Sequence, residues 1–525
     1  MKKSLFKSAP IYLLEPAINP ISKRFGLPKV ANYPPLAQAR LAGQIDDPNM
    51  RIVDLRIPGE RDRFLGEIRS EQPAMVCVSL TFTSNGDEAM EIASTIRSIC
   101  PGTIILFGGT GPSEDPDSFY SADCDLIGYR AGDAALPPLI REVRKSGHLP
   151  SDPPGFMRRS GGGWVRGEEL PPPAMSTLKP NAWKLLPRHY WKHYYQGFRP
   201  VGMGQSSEGC PFDCTFCSVW KVHGRKVNIA ALENVKHDFL SLPGFTRGFF
   251  FADDIWLQAT EPQRQELHDP LLRWMKSEFL PKRKGFWLTV ETRTDLFLRQ
   301  EARFRAWLKE GGLKWIMFGL EAVTDEQLKV YSKRNTVDTN SEAIRKAAKL
   351  GAFITGQFVI PCDADQTYFD EVVYFLKEHR PWMKVANFTI ATPLPGTDLY
   401  WEQLKQYPDL ADRKIVTHPA FSLFTALSPM KMDPVDFYTQ VARLYRVANH
   451  IHFTWTAWNQ IWAMLFKTPW MVPRVIKMAP GLRALTRPEF FLQTHRDVQG
   501  ERLLSKPPLT RVKSYSGLER AARPA

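Results

Sequence analysis

This 525-residue chain has no long apolar run. A spanning helix needs about 18–20 consecutive apolar residues, so the expectation is a protein not integral to a membrane. The N-terminus, Met1-Lys-Lys-Ser-Leu-Phe-Lys-Ser-Ala-Pro10, is basic but lacks an apolar core and a small-residue cleavage site, and no signal peptide is expected. Cysteine is scarce, with 7 residues, which excludes a secreted disulfide framework. Four of them, Cys77, Cys100, Cys124 and Cys362, stand singly in apolar surroundings and read as small core residues. Disorder-type composition is also missing. With 43% hydrophobic and 24% charged residues the chain is ordinary globular protein, long enough for roughly two or three domains.

What is present in excess is positive charge, +14 in all and unevenly placed. Residues 467–525 hold 12 Lys/Arg against 4 Asp/Glu, a surplus of +8. Just before them runs Phe453-Thr-Trp-Thr-Ala-Trp-Asn-Gln-Ile-Trp-Ala-Met-Leu-Phe466, followed by Trp470 and Phe490-Phe-Leu492. Aromatics beside basic residues suit the headgroup zone of an anionic bilayer. A helical cap whose Trp face packs on the main body fits equally well, and the two readings are compatible. No RNA-binding module is recognisable, so no nucleic-acid partner is expected.

The remaining cysteines are clustered. Cys210, Cys214 and Cys217 lie in Glu208-Gly-Cys-Pro-Phe-Asp-Cys-Thr-Phe-Cys-Ser-Val-Trp220, with C-x3-C-x2-C spacing. Three thiolates on one short loop can hold three irons of a [4Fe–4S] cubane and leave the fourth iron open. A closed zinc site wants four ligands, and only His223 and Cys362, both distant along the chain, offer themselves as a fourth. The run resembles the signature of the radical S-adenosylmethionine (SAM) superfamily. That resemblance implies that SAM chelates the open iron and is cleaved by one electron to a 5′-deoxyadenosyl radical. It also implies a flavodoxin-type or reductase electron donor and, for an oxygen-sensitive cluster, a cytoplasmic setting.

From about 196 to 405 strands and helices alternate, consistent with the partial (β/α)6 barrel of that superfamily, with chemistry at the carboxyl ends of the strands. Phe216 matches an aromatic position whose backbone meets adenine in the family. Arg247-Gly-Phe-Phe-Phe251 ends in Ala252-Asp253-Asp254, at the place of the family's "GGE", so Asp253 and Asp254 are candidates for SAM's amino group. A helix cap or solvated pair is the plain alternative. In Gly285-Phe-Trp-Leu-Thr-Val-Glu-Thr-Arg-Thr-Asp295, alternation puts Thr289, Glu291 and Arg293 on one face, taken as the barrel interior. The Arg fork suits a carboxylate, though a structural ion pair would look the same. Trp315-Ile-Met-Phe-Gly-Leu-Glu-Ala-Val323 resembles the family's "GLES" strand and places Glu321 near SAM, and the next strand contributes Gln357. Phe388 to Thr397 resembles a "TPLPGT" turn.

Residues 1–148 alternate in the same way and read as a doubly wound, Rossmann-like parallel sheet. Ligands of such sheets bind outside the strand carboxyl ends, here marked by Ser79, Thr81 and Thr83, by Gly108, Gly109 and Thr110, and by Gly132. Taken alone, these are the small residues any strand-to-helix turn uses. Together, Pro34-Pro-Leu36, Ser79-Leu-Thr-Phe-Thr83, Gly108-Gly-Thr110 and Gly132-Asp-Ala-Ala-Leu136 look like the cobalamin-binding domain that precedes many radical SAM cores. The D-x-H-x-x-G motif that gives cobalt a histidine elsewhere is absent, which leaves either cobalamin with no lower His ligand or a domain that has lost it. Residues 149–195, rich in Pro and Gly, are expected to be a linker, and 406–525 a helical, basic, Trp-rich C-terminal region.

This combination resembles the group around hopanoid C-3 methylase and the anaerobic magnesium-protoporphyrin ester cyclase. "GCPFDCTFCSVWK" and "LSPMKMDPVDFY" (427–438) carry the likeness. It implies a cobalamin-dependent methyltransferase acting on an unactivated carbon, with a polycyclic lipid such as a hopanoid as substrate. The C-terminal region would then touch the inner face of the membrane peripherally. An oxidative cyclase of a porphyrin-like ring, or another small molecule, is the second reading. A non-catalytic cobalamin or iron–sulfur sensor is a third, which the complete set of SAM-binding motifs argues against.

Overall fold

The computed structural model describes residues 7–18, 31–80, 86–130, 132–161, 163–197, 199–394, 396–406, 431–449 and 483–500. Thr81, Thr83, the Trp-rich run 453–466 and most of the basic tail lie outside the described residues.

Two sheets organise the molecule. In the first, β1 (Ile11–Glu15), β2 (Met50–Asp54), β3 (Met75–Ser79), β4 (Ile104–Gly108) and β5 (Leu126–Gly128) pair in parallel in the order β2-β1-β3-β4-β5. The strands are continuous apolar runs because both faces are covered. Helices Leu36–Gln44 and Gly132–Ser146 bury Ala39, Ala42, Leu136, Leu139 and Ile140 against Ile11, Leu13, Ile52 and Leu106. Helices Glu60–Glu71 and Gly86–Ile99 bury Phe64, Ile68, Ile92 and Ile96 against Leu14, Val53, Val78 and Phe107. The strand order reverses between β1 and β3, the switch point where such sheets open a crevice at their carboxyl ends.

The segment 149–195, expected as a linker, is built into the fold. Here β6 (Phe156–Ser160) and β7 (Gly163–Arg166) extend the first sheet antiparallel beyond β5, so that sheet is not parallel throughout. Further on, Trp183, Tyr190, Trp191 and Tyr194 are buried. Pro and Gly dominated the composition, but these four rings carry enough apolar area to anchor the segment.

In the second sheet, β8 (Arg199–Gly204), β9 (Gly248–Phe251), β10 (Trp287–Thr292), β11 (Leu313–Glu321), β12 (Phe353–Ile360) and β13 (Val385–Ile390) pair in parallel in sequence order. These are the strands of the partial barrel. Its outer face is apolar and packed under helices: Phe249 and Phe251 against Phe239, with Leu288, Ile316 and Phe318 continuing the layer. Register puts Met203, Phe250, Thr289 and Trp315 in one row of the opposite face, with Glu291, Met317 and Thr355 in the next. Tyr195–Gln196 borders β8 antiparallel and is followed at the edge by Ala31–Asn32, so the N-terminal part supplies a strand to the second sheet.

The described parts of the C-terminal region are helical. Helix Pro434–Asn449 buries Phe437, Tyr438, Val441, Leu444 and Tyr445, and helix Pro488–Gly500 packs Phe491 against Tyr438 and Tyr445. Among the described residues no helix is long and apolar enough to cross a membrane.

Candidate active site

The loop after β8 is braced before any metal arrives. Cys210 N–H donates to Gly224 O (3.0 Å) and Cys217 N–H to Cys214 O (3.1 Å). Gly209 sits at φ +94°, where a Cβ would collide with Lys226 O, so the turn into Cys210 requires glycine. The carboxylate of Asp253 is buried and accepts from Ser206 N (2.7 Å), Ser207 Oγ (2.7 Å) and Ser206 Oγ. Asp254 accepts from Gly209 N (2.6 Å) and contacts His223 Nδ1 (2.8 Å). In this structure both carboxylates are engaged by the cluster loop. The end of β9 points them at the backbone of the neighbouring β8 turn. Burial disfavours charged His223, but the Asp254 hydrogen bond and charge outweigh it and raise the imidazole above its ordinary value.

Burial lifts all three loop thiols, Cys210 to about 11 and Cys217 to about 12, with Cys214 also raised. Bare, they are thiols; bound iron supplies the charge that makes thiolates the stable form. Lys333 and Arg293 act on Cys214 in the same sense. Among the described residues no three His, Cys, Asp or Glu side chains close on a single ion. A cubane asks for less convergence, because each thiolate meets a different iron. Cys362 is a core residue, its Sγ directed at Ala391 O (3.0 Å).

Arg293 directly follows β10, which ends at Thr292, and caps the helix that comes next while keeping extended backbone. Its guanidinium lies 3.7 Å from the Phe212 ring, pairs with Asp295 (2.8 Å) and donates to Lys333 O (2.6 Å). One nitrogen, Nη1, is buried without a partner. That orphan donor beside the cluster loop fits a carboxylate ligand such as SAM's.

Glu321, at the end of β11, has φ +65° just where the β11–β12 register shifts. The irregularity re-aims the side chain, and a buried ion pair with Lys333 Nζ (2.7 Å) holds it. Glu291 accepts from Gln357 Nε2 (3.1 Å). Its carboxyl is raised by burial, partly countered by the Gln357 hydrogen bond, and raised again by the charges of Glu321 and Asp254. Glu321 is matched by Lys333 and Asp254 by His223, which leaves Glu291, held only by the neutral Gln357, as the acid that favours a cationic occupant such as the ammonium or sulfonium of SAM. Phe216 packs edge-on to Tyr331 (5.2 Å), while Thr215 N–H donates to Tyr331 O and Leu399 N–H to Thr215 O.

Across from this loop stand the carboxyl ends of the first sheet. Ser79 pairs in register with Gly108, and Leu80 N–H donates to Gly108 O (2.7 Å). Gly109, at φ +111°, would bring a Cβ to 2.6 Å from Leu80 O, whereas a Cβ on Gly108 would meet only Leu106 at 3.6 Å. Thr110 opens the short helix Thr110–Glu114, and Gly132 opens Gly132–Ser146. Small residues here leave a shelf suited to a large flat ligand. The helix Thr110–Glu114 packs on Val219–Val222, just after Cys217, and Gly396 of the "TPLPGT" turn abuts Glu114.

Residues 30–140 match the B12 binding domain and residues 205–367 the radical SAM superfamily. The chain therefore carries a B12-binding domain followed by a radical SAM domain, and its implied cofactors are a [4Fe–4S] cluster, SAM and cobalamin. Among known proteins it is 27% identical to the hopanoid C-3 methylase of Methylococcus capsulatus, over 78% of this chain and 75% of that one. It is 26% identical to the anaerobic magnesium-protoporphyrin IX monomethyl ester cyclase of Cereibacter sphaeroides, over 40% of this chain and 34% of that one. The radical SAM methyltransferase TsrM of Kitasatospora setae shares the fold, with TM-score 0.63 at 17% identity, covering 84% of this chain and 89% of that one.

Sequence reasoning missed several residues at this site. Ser206 and Ser207 gave no signal, since serines before a glycine turn are commonplace. Lys333, twelve residues beyond Glu321, has nothing in its local sequence to give it a role. Tyr33, stacked on Phe250 (4.9 Å) and close enough to Glu291 to feel its charge, enters the second domain from a strand that no local pattern announces.

Proposed function

We propose that the chain is a cobalamin-dependent radical SAM methyltransferase that methylates an unactivated carbon of a polycyclic lipid, a hopanoid-like molecule being the first candidate. The observation that carries this reading is the juxtaposition of two shelves. The glycine-rich strand ends of the first sheet pack against the cluster loop of the second, through Thr110–Glu114 on Val219–Val222. When bound, SAM and the cluster supply one-electron chemistry and cobalamin carries a methyl group.

The residues of this chain bind, orient and shield. Cys210, Cys214 and Cys217 would hold the cluster; Glu291, Arg293, Glu321 and Gln357, with the Phe216 backbone, would hold SAM. Ser79, Gly108, Gly109, Thr110 and Gly132 would line the corrin, joined by Thr81 and Thr83 from outside the described residues. The barrel face rowed with Met203, Phe250, Trp315 and Met317, with Tyr33 against it, favours a largely apolar substrate; Glu291 and Gln357 offer a few polar contacts. An external one-electron donor is required. The +8 surplus of residues 467–525 supports docking on an anionic membrane surface, as a lipid substrate would favour.

The test is anaerobic reconstitution with iron, sulfide and cobalamin, followed by SAM, a reductant and a hopanoid-rich lipid extract. Substrate-dependent 5′-deoxyadenosine and S-adenosylhomocysteine, with one methyl mass gained by a lipid, is the expected result. Deoxyadenosine without S-adenosylhomocysteine would replace methyl transfer with cyclisation, the activity named for the cyclase relative. Full activity and liposome binding after deletion of residues 467–525 would remove the membrane part.

A further inference from the structure

Helix Leu36–Gln44 belongs to the first sheet, yet one of its side chains reaches the neck of the cluster loop. Arg40 Nη1 lies 2.9 Å from Glu208 Oε2 and 3.1 Å from Gln205 Oε1. Its Nη2 lies 2.7 Å from Asp133 Oδ2. The three charged side chains are only 9–17% exposed. Glu208 stands two residues before Cys210, in the two-residue strand Ser207–Glu208, and its other oxygen accepts from Asn228 Nδ2 (3.2 Å). Asp133 stands next to Gly132, at the start of the helix that follows β5. Arg40 therefore ties the edge of the first sheet's strand-end shelf to the residues that enter the cluster loop, in one buried three-charge bridge. Arg40 Nε and Asp133 Oδ1 are buried without partners, so the bridge is not the arrangement that best satisfies these groups. It spends hydrogen-bonding capacity on holding two domains in one position.

We propose that Arg40 is a positioning residue, a fastener between domains that sets the distance from the corrin shelf to the cluster loop. A guanidinium suits the task because it can engage two carboxylates at fixed angles, which a single ammonium cannot. Removing it leaves Glu208 and Asp133 as buried, uncompensated acids on opposite sides of the junction. They repel, and the Ser207–Glu208 strand loses its hold on the first sheet. The cysteines themselves stay in place, since Asp253 and Asp254 brace their loop from the barrel side. The expectation is cofactors retained but misplaced relative to each other.

The experiment uses the full-length chain with Arg40→Ala, Arg40→Lys and, as a control distant from the junction, Arg443→Ala, which breaks the Arg443–Asp370 pair (2.6 Å). Hydrogen exchange read by mass spectrometry needs no cofactor. Arg40→Ala should exchange about tenfold faster across 205–210 and 132–136 together, Arg40→Lys by less, and Arg443→Ala in neither segment. Unchanged exchange in both segments, or the same change in Arg443→Ala, overturns the proposal. Should Arg40→Ala not fold, Arg40→Lys and Asp133→Asn carry the same comparison.

The second readout rests on the cobalamin reading. In protein reconstituted with cluster and cob(II)alamin, pulsed EPR measures the separation of cobalt and reduced cluster. A narrow distribution should become broad or displaced in Arg40→Ala at equal iron and cobalamin content; an unchanged distribution overturns the positioning role. If wild-type protein retains no cobalamin, the functional reading fails instead, and the exchange data alone decide the fastener.

Discussion

The two sheets present opposite kinds of ligand face at their carboxyl ends. In the second sheet the strand ends are crowded with charge: Asp253, Asp254, Glu291, Arg293, Glu321 and Lys333, most of it already matched by protein partners. In the first sheet the ligand face is neutral and small, built from Ser79, Gly108, Gly109 and Thr110. Its strand-end charges fall on β1 and β2, at Glu15 and Asp54, where Arg56 pairs with Asp54 (2.7 Å) and Tyr194 donates to Asp54 (3.0 Å). The difference follows the ligands each face would hold. A small cationic metabolite and a cluster need local charge at defined angles. A large, mostly flat macrocycle needs backbone-level closeness and room, which glycine provides.

Breaking the charged side should therefore cost most. Cys214→Ala removes one of three cluster thiolates, and the expected outcome is loss of the iron–sulfur absorption with no deoxyadenosine formed. Iron analysis after anaerobic reconstitution checks it; a variant holding full iron would return the site to a different ligand set. Next in size is Lys333→Met. It leaves Glu321 buried in a left-handed conformation with no counter-charge, at a cost of about 3–5 kcal/mol. Thermal melting should show this even in the metal-free protein, and deoxyadenosine formation should fall with it.

On the neutral side, geometry replaces charge as the weak point. Gly109→Ala meets both a positive φ and a Cβ at 2.6 Å from Leu80 O, so a loss of about 1–3 kcal/mol is expected together with cobalamin retention. Gly108→Ala, with only Leu106 at 3.6 Å, should leave stability within about 0.5 kcal/mol. If it also loses cobalamin, the corrin lies directly on Gly108; equal retention moves the corrin away from that strand end.

Much of this was legible because it lives in short-range pattern. The C-x3-C-x2-C spacing is contiguous, and strand and helix periods along 1–148 and 196–405 follow burial. What escaped depends on tertiary approach. That Asp253 and Asp254 would turn toward Ser206 and Gly209 is a fact about β8 and β9 being neighbours, invisible along the chain. The partners of Arg293, the Phe212 ring and Lys333 O, come from other elements and are equally hidden. The 149–195 segment was read by its Pro and Gly content, while four buried rings determined its packing.

The brace beneath the cluster loop separates hydrogen bonding from charge. Burial, only partly offset by hydrogen bonds from Ser206 and Ser207, raises the Asp253 carboxyl from 3.8 to about 6. A raised carboxyl binds its proton more tightly folded than unfolded, so its stabilising contribution is full below pH 3.8 and disappears as pH climbs through 6. Asp253→Asn cannot titrate. Melting temperatures of the two proteins, compared from pH 4 to 7, should show any advantage of Asp253 over Asn shrinking with rising pH and levelling off above 6. An advantage that grows over the same range would mean that the serine donors stabilise the ionised carboxylate by more than burial opposes it. The loop would then be held by a charge, and its hold on the cysteines would loosen in acid.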